Sequence, residues 1–134
     1  EREGASGEDE CTVITSEQLA LDYKRSIAVF RENVVVVDPR IRIESDELRV
    51  IFGGTNEIKA VTARGNVNLR QADKRATCRK AIYLAARGQV ILSGNARVRR
   101  GKDYVSGDRI TLWLDEDKMI CDPGRLVVFP ENDS

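Results

Sequence analysis

Histidine is absent from this 134-residue chain, which removes the commonest general base near neutral pH and the commonest metal-ligating ring. The three cysteines, Cys11, Cys78 and Cys121, show no CxxC spacing. Neither a zinc site nor a disulfide framework is therefore expected, and an odd number cannot all pair within one chain. GxSxG, GxxxxGK and GxGxxG patterns are missing, so a nucleophile elbow and the common phosphate-binding loops are excluded. No enzyme, cofactor or metal is expected. No apolar run approaches the roughly 18 residues of a membrane-spanning helix. A charged start followed by an apolar stretch is also lacking, and a secretion signal is expected to have been removed or never present. Charge of either sign is not in excess: Lys plus Arg and Asp plus Glu are 22 each, which gives no overall pull toward nucleic acid or an anionic membrane.

What is present is alternation. From residue 11 onward, short segments of period two follow one another, among them LALDY (19–23), NVVVV (33–37), LRVIF (48–52), NVNLR (66–70), QVILS (89–93), ITLWL (110–114) and RLVVF (125–129). Val, Ile and aromatic residues fill them, and Gly, Asn, Asp, Pro or charged residues separate them, as in short strands. No segment carries a sustained helical period. The punctuation recurs in register, with Asn33 to Asp46, Asn66 to Arg79 and Asn95 to Asp108 spanning equal intervals. This is an internal repeat with an insertion near Gly53 and Gly54. RGNV and SGNA are read as turns at strand starts rather than glycine-loop fragments. The expected organisation is a disordered polar tail over 1–10, one all-β domain over 11–130 and a short tail over 131–134.

Alternation also assigns faces. One inward row holds Val61, Ala63, Gly65, Val67 and Leu69, and another Val90, Leu92, Gly94, Ala96 and Val98; Ala28, Phe30, Glu32, Val34 and Val36 take the matching places in the first unit. After a corner the lining resumes with Leu19, Leu21 and Tyr23, with Leu48, Val50 and Phe52, with Ala81 and Tyr83, and with Ile110, Leu112 and Leu114. Parity changes across the corner, since Ile43 and Ser45 are odd and Leu48 and Val50 even, so a bulge or tight bend is expected there. Ser45, Cys78 and Gly107 align at it as small residues. A lone hairpin cannot bury its apolar face, but stacked copies can. Two facing antiparallel sheets with unpaired end strands are therefore expected.

Several residues carry a second reading. Cys78 is a small corner residue or, beside Arg79 and Lys80, a thiol of lowered pKa. Asp115 and Asp117 in DEDK belong to a hairpin loop or a weak cation site. Trp113 has outward parity and marks a contact surface or a partly covered ring. Cys11 and Cys121 are placed where either could join chains. The basic stretches 70–80 and 97–102 are solvated strand faces protecting an edge, or a recognition patch.

The stretch from AVTARGNVNLRQADKRATCRKAIYL onward, residues 60–120, resembles the LptA/OstA family of periplasmic lipopolysaccharide-transport proteins, whose domain also occurs at the N-terminus of LptD. The resemblance lies in Gly65-Asn66-Val67 leading to Cys78, Ala81 and Tyr83, and in Gly94-Asn95-Ala96 leading to Gly107, Asp108, Ile110 and Leu112. Glu32 stands where the first unit would carry the glycine, and Arg79 and Lys80 replace an acidic-first pair. The resemblance implies an open-ended β-jellyroll in the periplasm that carries lipopolysaccharide between inner and outer membranes without catalysis. Its acyl chains would run along Leu21, Phe30, Val34, Val36, Leu48, Val50, Phe52, Val61, Val67, Leu69, Tyr83, Val90, Leu92, Val98, Ile110, Leu112 and Leu114. Phosphates and acidic sugars would meet Arg70, Arg97, Arg99 and Lys102. The implied partners are LptC-like and LptD-like jellyrolls joined by edge-strand pairing, or further copies head to tail, and no nucleic acid. The competing expectation is a self-assembling structural β-protein whose interior is packed solid.

Overall fold

The computed structural model describes residues 11–54 and 57–130. The expected tails over 1–10 and 131–134 lie outside the described residues. Among the described residues nine strands follow in order: β1 (Val13–Thr15), β2 (Gln18–Asp22), β3 (Ile27–Asp38), β4 (Ile41–Phe52), β5 (Ile58–Gln71), β6 (Lys74–Leu84), β7 (Gln89–Arg100), β8 (Asp103–Trp113) and β9 (Lys118–Val127). They form one antiparallel sheet in the order β1-β3-β4-β5-β6-β7-β8-β9, with β2 also paired to β3. The sheet does not close on itself, since β1 and β2 lie at one end and β9 at the other. The all-β fold expected from the alternation and the open jellyroll that the resemblance implies are what the chain adopts, with the two expected facing sheets present as parts of one continuous sheet.

The short segments, however, join in pairs into strands of 10 to 14 residues from β3 onward. The G-N punctuation is a mid-strand bulge rather than a turn before a strand. On β3, β5 and β7 two consecutive residues take left-handed backbone: Glu32 and Asn33 (φ 73° and 55°), Gly65 and Asn66 (84° and 47°), and Gly94 and Asn95 (82° and 52°). Each pair opposes one residue of the next strand, because the register steps from Arg31↔Glu47 to Val34↔Ser45, from Arg64↔Lys80 to Val67↔Cys78, and from Ser93↔Arg109 to Ala96↔Gly107. The extra residue bends the strand. Glycine has no Cβ to clash at positive φ, and asparagine tolerates it better than most residues. The room is also limited: a methyl on Gly65 would lie 2.6 Å from Asp46 Oδ2, and one on Gly94 2.7 Å from the Cβ of Arg79. Gly65 and Gly94 are therefore bend residues between inward positions, not lining residues.

On β4 and β6 the inward parity switches at the same level, from Ile43 and Ser45 to Leu48 and Val50, and from Ala76 and Cys78 to Ala81 and Tyr83. The small residues expected there are present for steric reasons. Ser45 Oγ donates to Glu47 O at 3.0 Å and Cys78 Sγ to Lys80 O at 3.3 Å, both 6–8% exposed. At the third equivalent position, a side chain on Gly107 would run into the carbonyl of Pro123.

The bends divide the sheet into two arms that enclose one core. The first arm holds residues 34–45, 67–78 and 96–107 with β1; the second holds 27–31, 47–52, 58–64, 80–84, 89–93 and 109–113 with β2. Val34, Val36, Ile43, Val67 and Val98 from the first arm join Leu48, Val50, Val61, Val90, Leu92 and Ile110 from the second, each at most 2% exposed. Burying one such side chain contributes about 1.5–3 kcal/mol.

Candidate functional site

Three features sit on this frame: the apolar interior, its open ends, and a basic depression outside. Fifteen of the seventeen expected lining residues are buried in the core. Phe52 packs against the core only partly, and Leu21 does not join it. Ile41, Ile43 and Ala76 complete the first arm's inner row, and their alternation in RIRIES and RATC was the signal for them.

Leu21 differs from the others in exposure rather than in direction. Cross-strand partners in a sheet point to the same face, and Leu19 pairs with Phe30 and Leu21 with Ala28, both inward. Leu19 and Leu21 thus point inward as expected but remain 54% and 49% exposed, because β2 is the terminal strand of its arm. Tyr23 lies past the end of β2 and is exposed, contrary to its expected inward position. The other end is similar. Met119 and Cys121 pair with inward Leu112 and Ile110, and Leu126, opposite Val105, is 64% exposed. Among the described residues the apolar interior therefore reaches solvent at both ends of the sheet, where β1, β2 and β9 each have a strand neighbour on one side only.

Along its length the interior is closed. Leu48, Val50, Val90, Leu92 and Ile110 have no accessible surface, whereas a groove wide enough for a hydrocarbon chain would admit water and expose its lining. Hairpin turns of the two arms are tied together across the side opposite the bends. Arg40, in the β3–β4 turn, donates to Tyr83 Oη at 2.9 Å and to Ala85 O and Asp115 Oδ1 at 3.3 Å. Burial, followed by the Asp38 charge, raises the Tyr83 phenol against the opposing pull of Arg40. Lys74, only 6% exposed, carries its stem over the core and its ammonium to Asp117. That pair holds the Asp117 carboxyl below its ordinary range. DEDK is thus a hairpin loop whose two aspartates clasp the facing arm, and no group suited to hold a metal occurs among the described residues.

Cys78 is a corner residue, not an activated thiol: burial pushes it up to about 11. Cys121 is partly buried and also raised by burial. Trp113 faces outward as expected, half-covered, with the Lys118 ammonium 4.8 Å from its ring centre.

Outside the first arm lies a depression of about 650 Å³ whose polar lining is Arg42, Glu44, Asn68, Arg70, Arg75, Thr77, Arg97 and Arg99, with Leu69 and Ala76 also bordering it. It brings together three of the four expected polar contacts, Arg70, Arg97 and Arg99. Lys102, in the β7–β8 turn, is exposed and outside the depression. Arg75 falls within the basic stretch 70–80 without having been singled out, and Arg42 was missed because RIRIES was read only for its apolar positions. The edge-protecting role expected for the basic stretches does not hold, since β5, β6 and β7 are interior strands.

Known proteins similar to this chain give its family and its fold. Residues 13–118 match the family model described as LptA/(LptD N-terminal domain) LPS transport protein. Over 125 residues the chain is 28% identical to the lipopolysaccharide export system protein LptA of Escherichia coli (strain K12) and to that of Shigella flexneri, with 85% of this chain covered. The chain spans 66% of the length of those curated relatives. Among solved structures, LptH, described as the LptA homologous periplasmic component of the lipopolysaccharide transport device from Pseudomonas aeruginosa, superposes with a TM-score of 0.84 at 16% identity. The match covers 91% of this chain and 97% of that one. This last likeness is one of fold.

Proposed function

The chain belongs to the LptA/(LptD N-terminal domain) family of LPS transport proteins, and from that premise we propose that it is a non-enzymatic periplasmic carrier of lipopolysaccharide, acting as a bridge or chaperone between the membranes. The observation that carries this reading is the interior emerging uncovered at both ends, with Leu19 and Leu21 at one and Leu126 at the other. Another jellyroll can continue the sheet at β1 and β2 or at β9 through free backbone N–H and C=O groups. Its inward rows would then prolong those of this chain. LptC-like and LptD-like domains, or further copies, are the partners such edges suit. Acyl chains would enter between the rows, where each methylene removed from water contributes about 0.8 kcal/mol. Lipid entry requires the arms to part, since the rows already touch along their length.

A second reading, a structural β-protein that assembles without cargo, is favoured by that same filled interior. Photo-crosslinking separates the two. Crosslinkers placed at Leu21, Phe30, Leu92 and Leu112 are expected to capture lipopolysaccharide, and one at outward Trp113 to capture far less. Equal capture on both faces, or none inside while copies still assemble, would remove the carrier reading.

A further inference from the structure

The depression on the first arm has an unusual register. Arg42 stands directly opposite Arg70, Arg70 opposite Arg75, and Arg75 opposite Arg99. Four arginines therefore form one continuous row across β4, β5, β6 and β7, on the face away from the core, and all four are exposed. Like charges directly opposite one another on a sheet are destabilising. An ordinary solvated face avoids them by interspersing signs. Here the second row reads Glu44, Asn68, Thr77, Arg97, Ser106 and Arg125. It supplies a single carboxylate, Glu44, which pairs with Arg42 at 3.2 Å. Among the described residues neither Arg70 nor Arg75 has a carboxylate within ion-pair distance. The row ends at Tyr104, whose ring lies 4.2 Å from the Arg97 guanidinium and 5.7 Å from that of Arg99.

From this we infer that the arginine row is a binding face for a multiply phosphorylated saccharide. Adjacent strands lie about 4.8 Å apart, so four strands spread the guanidinium groups over roughly 14 Å. That span suits several anionic groups displayed along a chain of sugar rings better than one phosphate ion. Guanidinium groups recognise phosphate through paired N–H donors. Asn68 and Thr77 place neutral hydrogen-bonding groups between the charges, where hydroxyls of a saccharide can be met. Tyr104 holds Arg97 and Arg99 by cation–π contact before any ligand arrives. Nucleic acid, the other extended polyanion, is less well matched: the depression holds one aromatic ring beside it, already occupied by two arginines, and offers no open platform for bases. The identity of the occupant rests on the transport reading. The existence of an anion-binding face does not.

The test uses the full chain and three probes: a deacylated lipopolysaccharide saccharide bearing its phosphates, the same saccharide after dephosphorylation, and oligothymidylate. Calorimetric titration is expected to show binding of the first, weakening as salt rises, and at least roughly tenfold weaker binding of the second. A double variant, Arg75→Gln with Arg99→Gln, is expected to lose at least about tenfold in affinity for the first probe while melting no lower than the parent, because it relieves like-charge contact. Absence of binding, binding that ignores the substitutions, or a lower melting temperature of the variant would each overturn the inference. Tighter binding of oligothymidylate would reassign the face to nucleic acid and overturn it as well. Acyl capture by a crosslinker at Leu92 reports separately on the transport reading. Its failure, with saccharide binding intact, would remove the lipid path while upholding the anionic face.

Discussion

Replacing Glu32 by glycine is expected to stabilise the protein although it removes a side chain. Glu32 occupies the bulge position that Gly65 and Gly94 fill in the later units, with φ 73° against their 84° and 82°. A residue with a Cβ at left-handed backbone costs about 1–2 kcal/mol. Glycine returns part of that gain through the greater freedom of its unfolded chain, about 0.4–1 kcal/mol. The balance is a gain of roughly 0.5–1 kcal/mol, or about 2–5 °C in melting temperature for a domain of this size. The Glu32 side chain is exposed and its carbonyl, which accepts from the Glu17 N–H at 2.9 Å, is retained in the variant. Urea unfolding with an unchanged slope is the assay. Glu32→Ala is the control, since it removes the carboxylate but keeps the Cβ and should bring no such gain. Gly65→Ala is the converse: it adds strain, and its methyl presses on the Asp46 carboxylate that accepts from Asn66 Nδ2 at 2.9 Å. A loss of about 2 kcal/mol or more is expected there. If Glu32→Gly were no more stable than Glu32→Ala, the bulge geometry would not be what selects glycine in this repeat.

Two further outcomes follow from the same structure. Cys78, buried and with its pKa pushed up to about 11, is expected to resist iodoacetamide at pH 8 in the folded chain and to react at the rate of an ordinary thiol in urea. Comparable rates in both states, read by mass spectrometry, would restore the activated-thiol reading. The Lys74–Asp117 clasp should weaken in acid. Asp117 has a folded pKa below its ordinary 3.8, so its contribution is fully present above that value and is lost as pH falls through the lower folded value. A parent-minus-Asp117→Asn difference in stability that shrinks with falling pH below 4 is expected; a difference that grows would contradict the clasp.

Much of the fold was legible because a strand's side-chain period leaves little freedom. Once Val61, Val67 and Leu69, or Leu48 and Val50, are assigned to a face, the core follows almost residue by residue. The bends were legible as punctuation but not as geometry. Gly-Asn spells both a tight turn and a two-residue bulge, and only the pairing partner distinguishes them: Arg79 alone faces Gly65 and Asn66. Exposure at the ends was illegible for a different reason. Leu21 has the same alternation as Leu48, and what separates them is whether a strand lies beyond, which is a property of sheet order. The arginine row depended on register as well. Arg42, Arg70, Arg75 and Arg99 are scattered in the sequence, and no local pattern announces that four strands bring them abreast.

The filled interior and the open ends together constrain how a cargo would move. Parting the arms at mid-length separates rows in full contact, and breaks the bonds of Arg40 to Tyr83, Ala85 and Asp115 and of Lys74 to Asp117. The clasping carboxylates are exposed, so water can replace those partners and the ion pairs add only weakly to the barrier. The larger cost is apolar surface, and an acyl chain entering as the arms separate replaces it contact for contact. Under the carrier reading, cargo would therefore act as its own wedge, provided that it starts where the rows are already apart. Under the carrier reading that place is an end, beside Leu19 and Leu21 or beside Leu126, rather than the clasped side. A neighbouring jellyroll docked at either end would then deliver the chain directly between the rows. Its polar saccharide would remain outside, free to reach the arginines of the first arm.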